Sequence, residues 1–331
     1  MGFDEGKIVF DNGTGVYFTG QTISGKLIFD EESELTFRGI YVIFKGYCKV
    51  HWRTANTMIL NGRQITTHYV NHNSYEEYFN EKFYLVGSEN GEEMIKPGHH
   101  EYSFEFLIPP DCPSSLEGTA GHIRYELTAV VERGLKTDPE KMALVQIIAP
   151  LDLNTEPDVN KSVELTLEKV FHSWFVRSGS VEAVVKLPRA GYCPGQSIPI
   201  EVSCTNIGSV PIEAIALKLV KEITFHASGT KTEKETLTEL KLEEVPANTT
   251  RSFTVELVVP ATDSLNVKNC RYIDIDHQVQ VTLKPHGFHR ATSKSHKILI
   301  GTIPLLRPLA AASKNKMAQQ TVPDVNHASF I

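Results

Sequence analysis

A chain of 331 residues, 41% hydrophobic and 22% charged, has ordinary globular composition and the length for two domains. Its 33 basic and 40 acidic residues leave a net charge of −7 spread along the chain, which argues against the basic stripe of a nucleic-acid binder. No apolar run reaches the roughly 18 residues that span a bilayer, since the longest, Met142 to Leu151, is broken by Gln146 and Pro150.

Met1 to Lys7 are too polar for a signal peptide, and Gly2 lacks the Ser or Thr at position 6 that a myristoylation signal wants. Lys7 to Asp11 reads as a short opening strand. A Gly20-Gln21 turn follows, then strands over Lys26 to Phe29 and Ile40 to His51. The polar, Tyr-rich stretch His51 to Tyr84 is harder. Met58 to Leu60, Asn61-Gly62 and Gln64 to His68 form a hairpin signal, because Asn-Gly favours a left-handed two-residue turn. Ser74 to Lys82 opens like a capping box and admits a helix, although the β context favours a strand. Its tyrosines serve as β-formers or as a recognition surface. Tyr102, Phe104, Phe106 and Ile108 alternate with Ser103, Glu105 and Leu107, and Tyr125 to Val131 repeats that alternation.

Ala149 to Asp158, bracketed by two prolines and acidic, reads as an extended junction with Leu151, Asp152, Leu153 and Asn154 as the hinge. Val163 to Val170 and Val181 to Leu187 are strands joined by a loop that holds Trp174. Thr230 to Glu244 carries both charge signs and suggests a solvated hairpin. Beyond Pro304 large apolar residues thin out, and Ala311 to Gln320 is expected to be disordered.

The chain repeats itself. Tyr17, Gly20, Gln21, Ile23 and Leu27 recur in register as Tyr192, Gly195, Gln196, Ile198 and Val202. The same register carries Phe37, Ile40, Val42 and Phe44 onto Ile212, Ile215, Leu217 and Leu219. Pro97 to Pro109 then resembles Pro246 to Pro260, and Arg124-Tyr125 resembles Arg271-Tyr272, after an insertion in the first copy between Gly46 and Pro97. Short strands, Pro and Gly punctuation and little helical period make the fold all-β: two tandem immunoglobulin-like sandwiches. The domains are 1–150 and 159–305, with 151–158 as linker and 306–331 as a disordered tail.

Chemistry is hard to find. No Gly-x-Ser-x-Gly elbow, Walker loop, Gly-x-Gly-x-x-Gly or His-Glu-x-x-His occurs, so neither an enzyme nor a cofactor is expected. His68 and His72, and His286 and His289, have metal-like spacing but no third ligand nearby in sequence, and no metal site is read from them. Glu117 and Arg124 suit a loop-anchoring pair. Cys193 and Cys204 fall in or beside a repeated strand as small buried hydrophobes. With Cys48, Cys112 and Cys270 they make five cysteines without paired spacing, which reads as reduced thiols in a cytoplasmic protein. Ser329-Phe330-Ile331 matches a C-terminal peptide ligand for a PDZ domain, and three residues also match by chance.

Several motifs in order resemble the α-arrestins, the arrestin domain-containing proteins, over about residues 7–303. They are Leu116-Glu117-Gly118 with Arg124-Tyr125, Asp152 to Thr155, Ser173-Trp174 with Gly179, Gly191 to Gly195 with Ile198-Pro199, and Ile300 to Leu305. The resemblance implies two arrestin-type sandwiches and a trafficking adaptor. Such an adaptor binds integral membrane cargo, receptors or transporters, and brings a HECT-type ubiquitin ligase to it. It implies a cytoplasmic protein recruited to plasma membrane and endosomes. Family members hold the ligase through Pro-Pro-x-Tyr. Here Pro109-Pro110 precedes Asp111-Cys112, so direct recruitment through WW domains is not expected of this stretch. Glu168 stands where visual and β-arrestins carry a buried Arg, and no cysteine lies near Thr250, where the thioredoxin-interacting member has one. Neither a phosphate switch nor thioredoxin binding is therefore implied. The competing class is a structural endosomal-sorting protein of the retromer-subunit kind.

Overall fold

The computed structural model describes residues 3–306 apart from 61–62, 134–137, 174–175 and 262–265. The first half contains β1 (Lys7–Phe10), β2 (Val16–Phe18), β3 (Thr22–Glu31), β4 (Leu35–Phe37), β5 (Gly39–Leu60), β6 (Arg63–Gly87), β7 (Glu93–Ile95), β8 (Gly98–Leu107), β9 (Leu116–Glu117), β10 (Gly121–Glu132) and β11 (Glu140–Ile148). The second contains β12 (Val163–Ser173), β13 (Val176–Leu187), β14 (Gly191–Tyr192), β15 (Ser197–Asn206), β16 (Ile212–His226), β17 (Thr230–Leu242), β18 (Thr249–Val258), β19 (Ile273–Pro285) and β20 (Thr292–Ile300).

Alternation decides why these segments pair. In β15, Ile198, Ile200, Val202 and Cys204 are buried while Pro199, Glu201 and Ser203 face solvent. A period of two buries one face of a strand and leaves a helix without a continuous apolar stripe. Each half is a two-sheet sandwich. Sheet β1-β3-β8 faces β2-β11-β10-β5-β6 in the first, and β12-β13-β15-β18 faces β14-β20-β19-β16-β17 in the second. Leu27, Phe44, Ile123 and Ile147 fill the first core, and Val185, Ile200, Leu217 and Val281 the second.

The repeated Gly-Gln has a geometric cause. Gly20 and Gly195 take φ of 80° and 83°, the left-handed region that favours glycine. Gln21 Oε1 then accepts the Phe18 N–H at 2.9 Å, and Gln196 Oε1 accepts the Cys193 N–H at 3.0 Å. The Gly20 N–H donates to Ile108 O and the Gly195 N–H to Val259 O, at 3.1 and 2.8 Å. One turn is built twice, and it ties the two sheets of each sandwich together.

Three expectations change and one is extended. The hairpin read at Met58 to Leu60 and Gln64 to His68 is present, with Met58 opposite Thr66, and it is the end of one long ribbon in which β5 and β6 pair from Gly39↔Gly87 to Leu60↔Arg63. Ser74 to Lys82 therefore lie in β6, while Asn61 and Gly62 fall outside the described residues. Thr230 to Glu244 is not a hairpin by itself. Its residues 230–242 are the edge strand β17, whose charges pair across to β16 as Lys218–Glu239, Lys221–Glu235 and Lys234–Glu222.

The Arg-Tyr repeat also fails. Leu127 pairs Phe44 and Val279 pairs Leu219, so the residue equivalent to Tyr125 is His277 and not Tyr272. A dipeptide match carries little register information against a whole ladder of backbone bonds. Finally, the junction is a 3-10 turn, Leu153–Thr155, where an extended linker was expected. Asp152 Oδ1 accepts the Asn154 N–H at 2.8 Å and fixes it, and buried Leu153 packs with Val159 and Cys193.

Candidate functional site

β10 accompanies β5 only as far as Val50↔Gly121. Beyond that pair β5 and β6 continue as a two-stranded ribbon, roughly 30 Å long at strand rise. Such a ribbon is marginal alone, and its root is braced. The rings of Trp52 and His72 stack 4.8 Å apart at 10°, and His72 shares hydrogen bonds through Nδ1 with Ser228 Oγ at 2.8 Å and through Nε2 with Thr54 Oγ1 at 3.0 Å. Ser228 belongs to the second sandwich. Toward the tip the packing ends: Met58, Ile59 and Tyr69 are 58%, 65% and 57% exposed. The Arg53 guanidinium lies 3.7 Å from the centre of the Tyr69 ring.

The ribbon grows out of a seam between the domains. Ile223 and Phe225 at the end of β16, with Ile273 and Ile275 at the start of β19, are buried in the first domain's core cluster. The strand alternation of β16 simply runs past its own sandwich into the neighbour. Gly118 makes room for it, since a Cβ there would stand 2.7 Å from Phe225 Cζ and 3.1 Å from Gly121 O. Residues 266–272 line the other side. Asn269 Nδ2 donates to Asp111 O at 3.1 Å. The Arg271 N–H donates to Glu76 Oε2 at 3.0 Å and its guanidinium reaches Glu76 Oε1 at 3.0 Å. On the far edge Thr119 bonds Glu233, and Lys231 Nζ donates to Thr119 Oγ1 at 3.4 Å.

The four junction residues are held against the segment that ends the second domain. The Leu151 N–H donates to Thr302 Oγ1 at 2.8 Å, the Leu153 N–H to Ile303 O at 3.2 Å, and Asn154 Nδ2 to Pro304 O at 2.9 Å. Asp152 bridges Ile303 in parallel fashion. Ser329, Phe330 and Ile331 lie outside the described residues, as do Trp174 and residues 311–320.

Glu117 and Arg124 form the anchoring pair read from the sequence. Arg124 Nε and Nη2 donate to Glu117 Oε1 and Oε2 at 2.7 and 2.9 Å, and this bond holds the Glu117 carboxyl below its ordinary range. Cys193 and Cys204 are buried. The His289 ring packs edge-on against Phe171 at 5.2 Å. Among the described residues no three His, Cys, Asp or Glu side chains are placed to hold a metal, and no helix is long and apolar enough to cross a membrane. Sequence reasoning missed Phe225, Ile273, Glu76 and Arg271. The one signal for the first two was that β16 and β19 stay apolar for longer than a single sandwich needs.

Residues 6–154 match the family described as Arrestin (or S-antigen), N-terminal domain, and residues 177–305 match Arrestin (or S-antigen), C-terminal domain. The chain belongs to the arrestin family, on its α-arrestin side. It is 26% identical to arrestin domain-containing protein 17 of Caenorhabditis elegans over 95% of this chain and 74% of that protein. It is 28% identical to the mouse arrestin domain-containing protein 4 over 90% of this chain and 72% of the relative. The rat arrestin domain-containing protein 1 is 26% identical over 84% of this chain and 60% of its own length. These matches run through both sandwiches, as the duplication requires.

Proposed function

We propose that this α-arrestin is a non-enzymatic trafficking adaptor. Its fused sandwiches present the β5–β6 ribbon to the cytoplasmic segments of integral membrane cargo, a receptor or transporter, and the complex passes to a HECT-type ubiquitin ligase for endocytosis and sorting. The protein moves from the cytoplasm to plasma membrane and endosomes with that cargo. These 331 residues hold no Pro-Pro-x-Tyr, so within this stretch the ligase contact is indirect.

The observation that supports the reading is the ribbon. Large apolar side chains at Met58, Ile59 and Tyr69 stand in solvent at the end of a braced projection, where a fold with no partner gains nothing by keeping them. The test is proximity labelling in cells with a Met58→Glu, Ile59→Glu double variant beside the wild type. Both positions are exposed, so the melting temperature should hold while recovery of membrane receptors and transporters falls at least about tenfold, the scale set by losing one apolar contact patch. Undiminished recovery from an equally stable variant would move the cargo surface elsewhere.

A further inference from the structure

The seam brings two thiols from different domains to one cluster: Cys48 is part of the first core, and Cys270 packs against it. Cys48 sits in β5, fully buried within the first core, and its partner across the ladder is Glu76. Glu76 is the residue that holds both the backbone N–H and the guanidinium of Arg271. The segment around Cys270 is therefore laid over the position that opposes Cys48. Asn269, in the left-handed conformation at φ 62°, is tied on the other side to Asp111 O. Cys270 is clamped between these two attachments, packs against the first domain's core although it belongs to the second, and is partly open to solvent. No other thiol pair is brought together in this way: Cys112 packs under Tyr125, and Cys193 and Cys204 lie in separate clusters of the second domain.

The surroundings assign different parts to the two sulfurs. The Cys48 side chain, followed by Tyr78 and the backbone N–H groups of Tyr272 and Ile273, favours negative charge on Cys270 and holds its thiol below the ordinary range. The same contact with Cys270, together with burial, pushes Cys48 up. Cys112 and Cys204 are pushed up to about 11, Cys204 by burial and Cys112 chiefly by burial with Asp111 adding to it. The thiolate is the reactive form of cysteine, so one sulfur of the pair is set to meet an oxidant and the other to resolve it.

We propose that Cys48 and Cys270 are an oxidation site for hydroperoxides that closes into a disulfide across the domain seam. The Cys270 thiolate attacks one oxygen of hydrogen peroxide, the O–O bond breaks, and hydroxide leaves and takes a proton as water. The sulfenic acid on Cys270 is then attacked by Cys48 sulfur. The S–O bond breaks as the S–S bond forms, and the departing hydroxide takes the Cys48 proton as a second water. Two thiols and one peroxide become one disulfide and two waters. The bond joins β5 to the segment before β19, so the seam is fixed covalently until a thiol reductant reopens it.

The test uses the full, folded, reduced chain with hydrogen peroxide at a few equivalents. After blocking with an alkylating reagent and digestion without reductant, mass spectrometry should find the peptides of Cys48 and Cys270 joined, two hydrogens lighter than the free pair, and separated again by dithiothreitol. Cys112, Cys193 and Cys204 should remain alkylated over the same interval. In a Cys48→Ser variant, which keeps a small hydrogen-bonding side chain beside Cys270 but no resolving sulfur, Cys270 should instead accumulate sulfenic acid that dimedone traps. Wild-type alkylation rates need no variant, and Cys270 should react at least about tenfold faster than Cys204, in line with its thiolate character. Oxidation of Cys270 no faster than that of Cys204, or a sulfenic acid on Cys270 that persists in the wild type without a bond to Cys48, would overturn the proposal.

Discussion

Replacing Phe225 by Ala should uncouple the two sandwiches. The ring is fully buried, extends from a strand of the second domain, and is packed among side chains of the first. Truncating a buried Phe costs about 3–5 kcal/mol through lost transfer energy and the cavity left behind. For a domain of 150–250 residues each kcal/mol moves the melting temperature by about 2–4 °C, so the expected fall is about 6–20 °C. The way it appears matters more than its size. Phe225 contributes little inside its own sandwich, so its loss falls on the coupling between the halves. Calorimetry should show a single wild-type transition that splits in the variant, with hydrogen exchange opening at Ile123 and Ile275 before it opens at Val202.

Leu217→Ala is the control, because Leu217 is equally buried but lies in the second domain's own core. It should lower the midpoint by a similar amount, about 2–5 kcal/mol in stability, without splitting the transition. If Phe225→Ala still melts in one step within about 2 °C of wild type, a shift worth no more than about 1 kcal/mol, the shared core does not bind the domains and the argument fails.

Gly118→Val puts a branched side chain where even a Cβ would approach Phe225 Cζ to 2.7 Å. Overpacking of this kind costs about 1–3 kcal/mol, which should read as a lower urea midpoint with an unchanged slope. An unmoved midpoint would mean that the ring has room to swing aside. The Glu117 carboxyl titrates below its ordinary 4.5, chiefly because Arg124 hydrogen-bonds its charged form. Its folded-state value is thus the lower one, so its stabilisation is present above 4.5 and drains away as pH falls through that lower value. With 63% of the Glu117 side chain exposed, this amounts to under about 1 kcal/mol. Glu117→Gln should flatten the acid limb of the stability curve, and an unchanged limb would show that the pair does nothing for folding.

The duplication made the fold legible because it is written in burial. Gly20 with Gln21 and Gly195 with Gln196 specify one turn twice, and the alternation of β3 and β15 fixes which face turns inward. Register between copies was less legible wherever a short polar motif stood in for a ladder, as with Arg124-Tyr125. The seam was the least legible. Ile223, Phe225, Ile273 and Ile275 look like any sandwich interior in one dimension, and only the packed structure shows that their neighbours come from the other copy. The junction misled for a related reason. Two prolines and acidic residues describe a solvated link, but Leu151 and Leu153 are apolar and find cover beneath the 301–306 segment.

One strand connects these parts. Along β5, Phe44 belongs to the first core, Cys48 lies in the part of that core that the second domain's Cys270 packs against, Trp52 stacks where the ribbon leaves the body, and Met58 stands in solvent. All four are even-numbered, and successive side chains of a strand alternate between its faces. The bulge between Gly46 and Tyr47 bends the ribbon without severing its pairing with β6. A load applied at the tip is therefore carried along a hydrogen-bonded ladder to Trp52, His72 and Ser228, which sit on the boundary between the domains. Because protein interiors are close-packed and do not deform continuously, the root cannot shift without the seam shifting too. Any partner that binds the ribbon more tightly in one seam geometry must be bound differently when that geometry is altered, by the same factor in both directions. The fused seam makes two repeated sandwiches answer as one body to whatever grips a single hairpin.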